Sequence, residues 1–488
     1  MPDGAVFDLS FTERHRYRPY QLVAPAFVAE CRARVGEVDR LTRSDRSPEA
    51  PFAAVELEVQ HQAGTVAAGL STPDDDHVLA THTAADRTVT IEVRVAGRTR
   101  VVRRRRVDLR APYTLGFVVC ENQVTVLARA PGGTWRPLLT ERRRVADRLD
   151  LRRPGTLERF RWTWGARSGT ATLGELRAGL YGMAGLRDPH VVQHADGRPF
   201  VRDGLAYLTW TCAGLGSFRQ AHWGVFTLDL DDPTRLEQVA QLFTRRDGLL
   251  LGDHAGQLVR DGDHWLVATS SWGDFDAGSG VHVRHLTTEA DLLSGVHLLE
   301  TERTDLPTAY DAWDPGFTRV DGRWFLGFVA SPSQRPFDFH PALASTTAES
   351  PWTGLTAVGA AEGLHQCEGP VIARVGEDWW LLASDGDARD YPVFDLSMQR
   401  AGRLDAPYPT NIPHPQLIRR DDGSWLLVTF DGTQRGARTM GYGGHGDVVV
   451  MTDRSALSHG DVVTPAGETV SGGRRNDHKP RVPGLRRV

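Results

Sequence analysis

Lysine is almost absent from this chain of 488 residues, because Lys479 is the only one and arginine supplies the remaining positive charge. This bias is typical of a GC-rich coding sequence. The run Arg103–Arg106 therefore predicts a solvated strand face, with a phosphate-binding patch as the alternative. The formal net charge of -5 argues against a general nucleic-acid binder, so we expect no nucleic-acid partner.

Cysteines and long apolar runs are also scarce. The four cysteines lie far apart, without the spacing of a metal site or a disulfide framework, which fits a reducing compartment. No apolar run approaches the ~20 residues of a membrane span, so we expect no membrane partner. Residues 1–16 lack a basic start followed by an apolar core. We therefore expect no signal peptide and a cytoplasmic protein.

The composition is that of a globular protein, with 40% hydrophobic and 24% charged residues. A chain of this length predicts two domains. We expect an N-terminal extension over 1–50 that packs on the domains and includes a short helix near 26–38. A β-sandwich over 51–182 and a β-propeller over 183–455 follow, and 456–488 reads as a flexible tail.

Residues 51–182 consist of short segments that alternate apolar and polar side chains between turn residues. Ala54–Val59 and Thr88–Val95 are examples. Many short strands at regular spacing predict a two-sheet sandwich. The stretch resembles the concanavalin-like jelly-roll modules that accompany carbohydrate enzymes. This resemblance rests on strand rhythm, and whether the domain binds glycan stays open.

An internal repeat begins after residue 185. Five segments share a tight turn followed by an aromatic or aliphatic strand, and their turns are spaced 58, 60, 55 and 46 residues apart. Asp-Gly pairs supply the positive φ angles of a tight hairpin, and this spacing suits one four-stranded blade. The repeat predicts a five-bladed β-propeller, with an open all-β domain as the alternative. The turns are Asp203-Gly204, Asp261-Gly262, Asp321-Gly322, Gly376-Glu377 and Asp422-Gly423.

An ionisable residue precedes a hairpin turn of each repeat by seven or eight residues, and in the first repeat this turn is Asp196-Gly197. It is Asp188, Asp314, Glu368 or His414, and in the second repeat the matching residue is Asp253 or His254. A near-constant offset places these residues at the start of each innermost strand, so we expect them to converge on one mouth of the central channel. The predicted fold is all-β, with an N-terminal, jelly-roll-like β-sandwich followed by a five-bladed β-propeller.

Three carboxylates at one channel mouth cannot all ionise easily, so we expect at least one raised pKa. Hydrolysis of an acetal needs such a group, because a protonated carboxyl donates to the leaving oxygen while a carboxylate activates water. A purely structural role at strand starts is the alternative for each carboxylate alone. The sequence therefore predicts a catalytic set of Asp188, Asp314 and Glu368.

Three motifs resemble the catalytic trio of glycoside hydrolase family 43: Arg187-Asp188-Pro189, Trp313-Asp314-Pro315 and Cys367-Glu368-Gly369-Pro370. The resemblance implies an inverting glycosidase of the arabinosidase or xylosidase kind that acts on an oligosaccharide. It makes Asp188 the general base, Glu368 the general acid, and Asp314 the residue that orients this acid and tunes its pKa. It implies no required cofactor. It allows a calcium or sodium ion in the channel beside His414.

Further side chains near the predicted ring are candidates for gripping the sugar. An aromatic residue there stacks on a sugar face or serves ordinary packing, and Trp313 is the best candidate because it precedes Asp314. Two other functions stay open: a carbohydrate-binding propeller without hydrolysis, and a retaining, fructosidase-like hydrolase. In the latter group Arg-Asp-Pro is the middle motif, whereas in this chain it comes first. The predicted substrate-binding residues are Arg187, Asp253, His254, Trp272, Trp313, Tyr391 and His414.

Overall fold

A computed structural model describes residues 4–276, 278–410, 412–433, 442 and 446–453. Almost all regular structure in these ranges is β-strand, as the sequence predicts; the helical exceptions include a helix, α1, at Pro154–Leu157 and a 3-10 turn at Phe218–Gln220. The described part contains no helix with the length and apolar character needed to cross a bilayer. The predicted tail, 456–488, lies outside the described residues.

The first part of the chain supplies twelve strands. They are β1 Ala5–Tyr17, β2 Gln21–Arg32, β3 Gly36–Val38, β4 Leu41–Arg43, β5 Phe52–Ser71, β6 His77–Thr83, β7 Thr88–Val95, β8 Arg98–Arg106, β9 Tyr113–Cys120, β10 Gln123–Arg129, β11 Arg136–Glu141 and β12 Arg161–Met183.

Strands β2–β12 form one sheet, in which β11-β10-β9-β5-β6-β7-β8 is the main path and β12 pairs with β5. The N-terminal half of β5 pairs with β9, and its C-terminal half pairs with β6. Strand β5 therefore runs through both halves of the sheet, and Phe117, Trp162 and Leu70 are buried in its core. The structure thus shows one continuous sheet in this region, and the two-sheet sandwich stays a prediction.

The prediction of a short helix near 26–38 is wrong. Strands β2 and β3 occupy this stretch, and both pair with β12. Strand β4 pairs with β12 as well, so much of the predicted N-terminal extension belongs to the sheet. The backbone groups of this stretch are taken up by ladder hydrogen bonds to a distant strand, which local sequence does not reveal.

The second part of the chain supplies twenty-three strands. They are β13 Leu186–Val191, β14 Gln193–His194, β15 Val201–Arg202, β16 Leu205–Cys212, β17 His222–Asp229, β18 Leu236–Arg246, β19 Leu249–Leu251, β20 His254–Asp261, β21 His264–Ser270, β22 Val283–Thr288, β23 Gly295–Glu300, β24 Glu302–Arg303, β25 Asp311–Val320, β26 Arg323–Gln334, β27 Phe337–Thr346, β28 Thr356–Ala360, β29 Cys367–Val375, β30 Asp378–Asp385, β31 Pro392–Asp395, β32 Arg400–Asp405, β33 Gln416–Arg419, β34 Trp425–Asp431 and β35 Asp447–Asp453.

These strands build five four-stranded blades, which confirms the propeller predicted from the repeat. The blades are β13-β16-β17-β18, β20-β21-β22-β24, β25-β26-β27-β28, β29-β30-β31-β32 and β33-β34-β35-β1. The inner strands β13, β20, β25 and β29 contact one another in turn, and β33 contacts β13. Strand β1 joins the fourth and fifth blades by pairing with β32 and β35, so the ring closes. Asp321 and Gly322 both have positive φ at their hairpin turn, as the Asp-Gly signal predicts.

The outermost strand of the fifth blade comes from the N-terminus. Strand β1 pairs antiparallel with β35, where Phe11 faces Asp453 and Tyr17 faces Val448. It also pairs in parallel with β32 of the fourth blade. Phe11 is fully buried against strands of these two blades. The first strand of the chain is therefore a structural part of the propeller.

Candidate active site

The inner strands of the first four blades share one irregularity. In each, two residues of the inner strand lie opposite one residue of the next strand, after Arg187, His254, Trp313 and Glu368. The following residue has positive φ, with values of 47° at Asp188, 53° at Ala255, 50° at Asp314 and 66° at Gly369. Such a bulge re-aims side chains that would otherwise alternate between faces. Arg187 and Asp188 therefore line the same cavity, as do Trp313 and Asp314.

This shared geometry fixes the register that the sequence left open. Ala255, not Asp253 or His254, occupies the position of Asp188 and Asp314 in the second blade. Glu368 occupies the position of Trp313, one residue earlier than its predicted equivalence. Gly369 takes the place of the aspartate, because the ring of His414 fills the space that a side chain would need. The carboxylate of the fourth blade thus reaches the channel from the preceding residue.

His414 lies at the centre of the three predicted catalytic carboxylates. Its Nε2 atom is 3.4 Å from Oδ2 of Asp314, and 4.0 Å from both Oδ1 of Asp188 and Oε1 of Glu368. The side chains of Asp188, Asp314 and His414 are buried, whereas that of Glu368 is 18% exposed. The structure therefore brings together Asp188, Asp314, Glu368 and His414, as the repeat predicts.

The surroundings shift the pKa values of the two aspartates in opposite directions. Burial opposes ionisation of Asp188, but the positive charges of Arg187 and His414 lower its pKa below the ordinary value. Burial raises the pKa of Asp314 well above its ordinary value, and the charges of Glu368 and Asp188 raise it further. At neutral pH the site therefore contains an ionised Asp188 beside a carboxyl group that holds its proton more strongly.

Among the described residues, Asp314, Glu368 and His414 are the group whose donor atoms lie close enough to hold the expected channel ion. One donor atom of each lies within 4.8 Å of the others. Burial lowers the pKa of the His414 imidazole, but Asp314, Glu368 and Asp188 outweigh burial and raise it to about 9. An imidazole that carries both protons has no lone pair for a metal, and calcium takes six to eight oxygen ligands. The two carboxyl groups are therefore better suited to a protonated His414 between them than to a calcium or sodium ion. The bound ion stays a prediction.

The carboxylates lie in a cavity of about 210 Å³. Arg187 lies at its edge, with the guanidinium carbon 4.7 Å from the ring centre of Phe430 and 4.5 Å from that of Tyr442. The indole N–H of Trp313 donates a hydrogen bond of 3.3 Å to Oε2 of Glu368 and so orients this carboxyl. The aromatic side chains that line the cavity are Phe218, Trp272, Phe275, Trp313, Phe337 and Tyr442.

Four predicted substrate-binding residues lie outside this lining: His414, which is buried among the three carboxyl groups, and three others. Asp253 is fully buried and forms two hydrogen bonds, of 2.7 and 2.9 Å, with the guanidinium of Arg246. His254 is buried behind the cavity wall, where its Nε2 atom lies 3.0 Å from the carbonyl oxygen of Phe218 and burial lowers its pKa. Tyr391 is fully buried in the apolar core shared by the fourth and fifth blades. None of these three contributes to the cavity surface, whereas Arg187, Trp272 and Trp313 do.

Besides Ala255, four lining residues were not predicted from the sequence. Phe218, Phe275, Gln334 and Tyr442 lie in connections between strands or at a strand end, outside the repeated segments. The repeat detects only positions with a counterpart in every blade, so it gives no signal for side chains supplied by individual loops. Phe337, the first residue of β27, also forms part of the wall, and its ring centre lies 5.8 Å from that of Trp313, on which it stacks.

No family model matches the chain, and no curated protein matches it. Among solved structures, it is similar to an alpha-L-arabinanase of Penicillium chrysogenum complexed with arabinobiose, at 10% identity, 86% coverage of this chain, 99% of that chain and a TM-score of 0.36. It is similar to a family 117 glycoside hydrolase of Zobellia galactanivorans, at 10% identity, 55% and 84% coverage and a TM-score of 0.39. The same holds for an alpha-L-arabinofuranosidase of Lactobacillus brevis, at 13% identity, 55% and 91% coverage and a TM-score of 0.38.

Proposed function

We propose that this protein is a glycoside hydrolase that cleaves a glycosidic bond of a small sugar of the arabinose or xylose kind. The observation that carries the proposal is the convergence of Asp188, Asp314 and Glu368 on the Nε2 atom of His414 at the bottom of an aromatic cavity. The substrate is then a pentose-containing or related oligosaccharide or glycoside.

Asp188 acts as the general base in this proposal. Its ionised carboxylate accepts a proton from a water molecule, whose oxygen attacks the anomeric carbon. The charges of Arg187 and His414 lower its pKa, so that the residue is ionised before substrate arrives. The new bond forms on the face opposite the leaving group, which inverts the configuration of the anomeric carbon.

Glu368 acts as the general acid. It is the most exposed of the three carboxyl groups, and Trp313 holds one of its oxygens from within the cavity. Its proton passes to the glycosidic oxygen as the bond to the anomeric carbon breaks. Asp314 does not touch the leaving group in this scheme. Burial raises its own pKa, and the charges of Glu368 and Asp188 raise it further.

The positions of the two reacting carboxyl groups allow this division of labour and also allow retention, which needs a separation of ~5–5.5 Å. Oδ1 of Asp188 and Oε1 of Glu368 each lie 4.0 Å from Nε2 of His414, so the two oxygens are at most twice that distance apart. Inverting glycosidases keep their carboxyl groups ~6.5–9.5 Å apart, with a water molecule between the base and the sugar.

Two variants with distinct expected profiles test the proposal. Asp188→Asn removes the base and should lower kcat/KM ~10²–10⁴-fold on every substrate. Glu368→Gln removes the acid, so activity should fall as strongly on alkyl glycosides but persist on dinitrophenyl glycosides, whose leaving group needs no proton. Asp321→Asn is the matched control, because Asp321 also has positive φ but lies at a hairpin turn. Arabinosides and xylosides are the first substrates.

Proton NMR of the first-formed sugar distinguishes the remaining mechanisms. Inversion of the anomeric configuration supports the roles given to Asp188 and Glu368. Retention would assign a nucleophile to the site and favour the fructosidase-like alternative. Binding of sugars without turnover of any glycoside by the wild-type protein would make the chain a carbohydrate-binding propeller and overturn the proposal.

A further inference from the structure

The cavity has a polar bottom and an apolar mouth. Asp188 and Asp314 are buried at the bottom. Phe337 is 44% exposed at the opening, and Phe218, Trp272 and Phe275 are partly buried around it. We call these last four residues the aromatic rim. A sugar whose anomeric carbon lies near Glu368 therefore directs its leaving group towards the rim.

Three rings of the aromatic rim contact one another, and the fourth, Phe337, stacks on Trp313. Ring centres lie 5.0 Å apart for Phe218 and Trp272, 5.3 Å for Phe218 and Phe275, and 5.2 Å for Trp272 and Phe275. Their planes meet at 57° to 69°, in the edge-to-face arrangement that aromatic rings prefer. The aromatic rim thus presents both ring edges and ring faces to a group bound at the opening.

This enclosure suits an apolar guest better than a second sugar. A sugar unit lays one apolar face on a ring but directs hydroxyl groups outwards, and each buried hydroxyl without a hydrogen-bond partner costs about 1–3 kcal/mol. Three of the four rim side chains are phenylalanines, which have no polar atom. Gln334, a polar side chain of the lining, already donates its amide N–H to Oδ2 of Asp311 at 2.8 Å.

We propose that the aromatic rim binds an apolar, aromatic leaving group, so that the preferred substrates are aryl or benzyl glycosides of a small sugar rather than oligosaccharides. This inference rests on the proposed function and specifies its substrate class. Phe218, Trp272, Phe275 and Phe337 are then residues that determine specificity for the leaving group, while the carboxylates at the bottom bind and cleave the sugar.

The test compares a benzyl glycoside with a disaccharide of the same sugar and anomeric configuration. Benzyl alkoxide is no better a leaving group than a sugar alkoxide, so a preference reports binding and not intrinsic reactivity. We expect kcat/KM of the wild-type protein to be at least tenfold higher for the benzyl glycoside, which corresponds to about 1.4 kcal/mol. Phe275→Asn should remove most of this preference, and Phe275→Leu should retain part of it. Val201→Ser is the control, because Val201 is an exposed apolar residue on another strand.

A second measurement does not depend on turnover. Benzyl alcohol alone should quench the fluorescence of the wild-type tryptophans, and Phe275→Asn should weaken this binding several-fold. Equal or better hydrolysis of the disaccharide would overturn the inference and leave the proposed function intact. If neither glycoside is cleaved, the proposed function fails. Quenching by benzyl alcohol, sensitive to Phe275→Asn, would then still support the apolar site, and its absence would refute it.

Discussion

The imidazole ring of His414 lies directly against the backbone of Gly369, where a side chain of any kind would overlap with the ring. Gly369 has a φ of +66°, the left-handed conformation that glycine adopts without strain. The fifth blade thereby brings its imidazole close to the carboxyl of the neighbouring Glu368. The absence of a Cβ atom at residue 369 thus makes room for His414 among the charged residues.

Gly369→Ala should destabilise the protein far more than the same change at Gly376. Both glycines have nearly equal φ, of +66° and +69°, but a Cβ at Gly376 meets nothing within 4 Å. The control therefore reports only backbone strain, of about 1–3 kcal/mol. The difference between the two free energies of unfolding, measured in urea, reports the displacement of His414. Equal effects of the two substitutions would contradict the contact.

The stability of the protein should fall between pH 6.5 and pH 9. Asp314, Glu368 and Asp188 raise the pKa of His414 from 6.5 to about 9, so the folded state holds this proton more tightly than the unfolded chain. The stabilisation is complete below pH 6.5 and is lost as the pH rises through about 9, amounting to about 3 kcal/mol. His414→Gln should abolish this loss. The free energy of unfolding in urea, determined at several pH values, measures this loss. An equal fall of this free energy with pH in both proteins would argue against a charged His414.

Arg187→Gln should shift the acid limb of kcat/KM to higher pH by about one unit, because an opposite charge lowers the pKa of a carboxyl by ~1–3 units. Arg187 lowers the pKa of Asp188, and kcat/KM reports groups of the free enzyme. The wild-type protein should therefore remain active at pH values where an ordinary aspartate is protonated. Arg198→Gln, at an exposed arginine, serves as the control. If the acid limb of kcat/KM does not move, Asp188 is not the group whose protonation lowers the activity.

Arg246→Gln should destabilise the protein by about 3–5 kcal/mol, because it leaves buried Asp253 without its counter-charge. The guanidinium binds both oxygens of Asp253 and both oxygens of Asp274, which lies two residues after Trp272. The Michaelis constant should rise as well, since the cavity wall at Trp272 loses its anchor. Arg245→Gln should change stability by less than ~0.5 kcal/mol, because Arg245 is half-exposed. Unfolding curves and steady-state kinetics test both effects.

Much of the propeller was predictable from the sequence because its signals are local. A tight turn and the strand after it lie next to each other in the chain, so Asp321-Gly322 and its counterparts reveal the blades directly. The same regularity predicted that Asp188, Asp314, Glu368 and His414 meet. All four lie on or just before inner strands, whose positions the repeat defines.

What the sequence did not reveal depends on distant partners or on backbone geometry. A bulge leaves no mark in composition, so the offset of Glu368 from Asp314 by one position was invisible. Asp253 was a candidate for the ring, yet Arg246 binds it away from the cavity. Tyr391 follows a polar loop and was expected to reach the sugar, but the core of two adjacent blades covers it. The pairing of β2 with β12 overrode the helix expected near residues 26–38.

The pairing of β1 with β35 also constrains how this protein is made. During synthesis β1 leaves the ribosome long before its partner strand β35 is made, and the strands of the other four blades are made in between. The propeller therefore closes only after β35 has emerged, because the two strands that pair are far apart in the chain. Contacts so distant in sequence slow folding and leave an open strand edge exposed meanwhile. Shortening β1 should thus act on the yield of folded protein before it acts on anything at the channel.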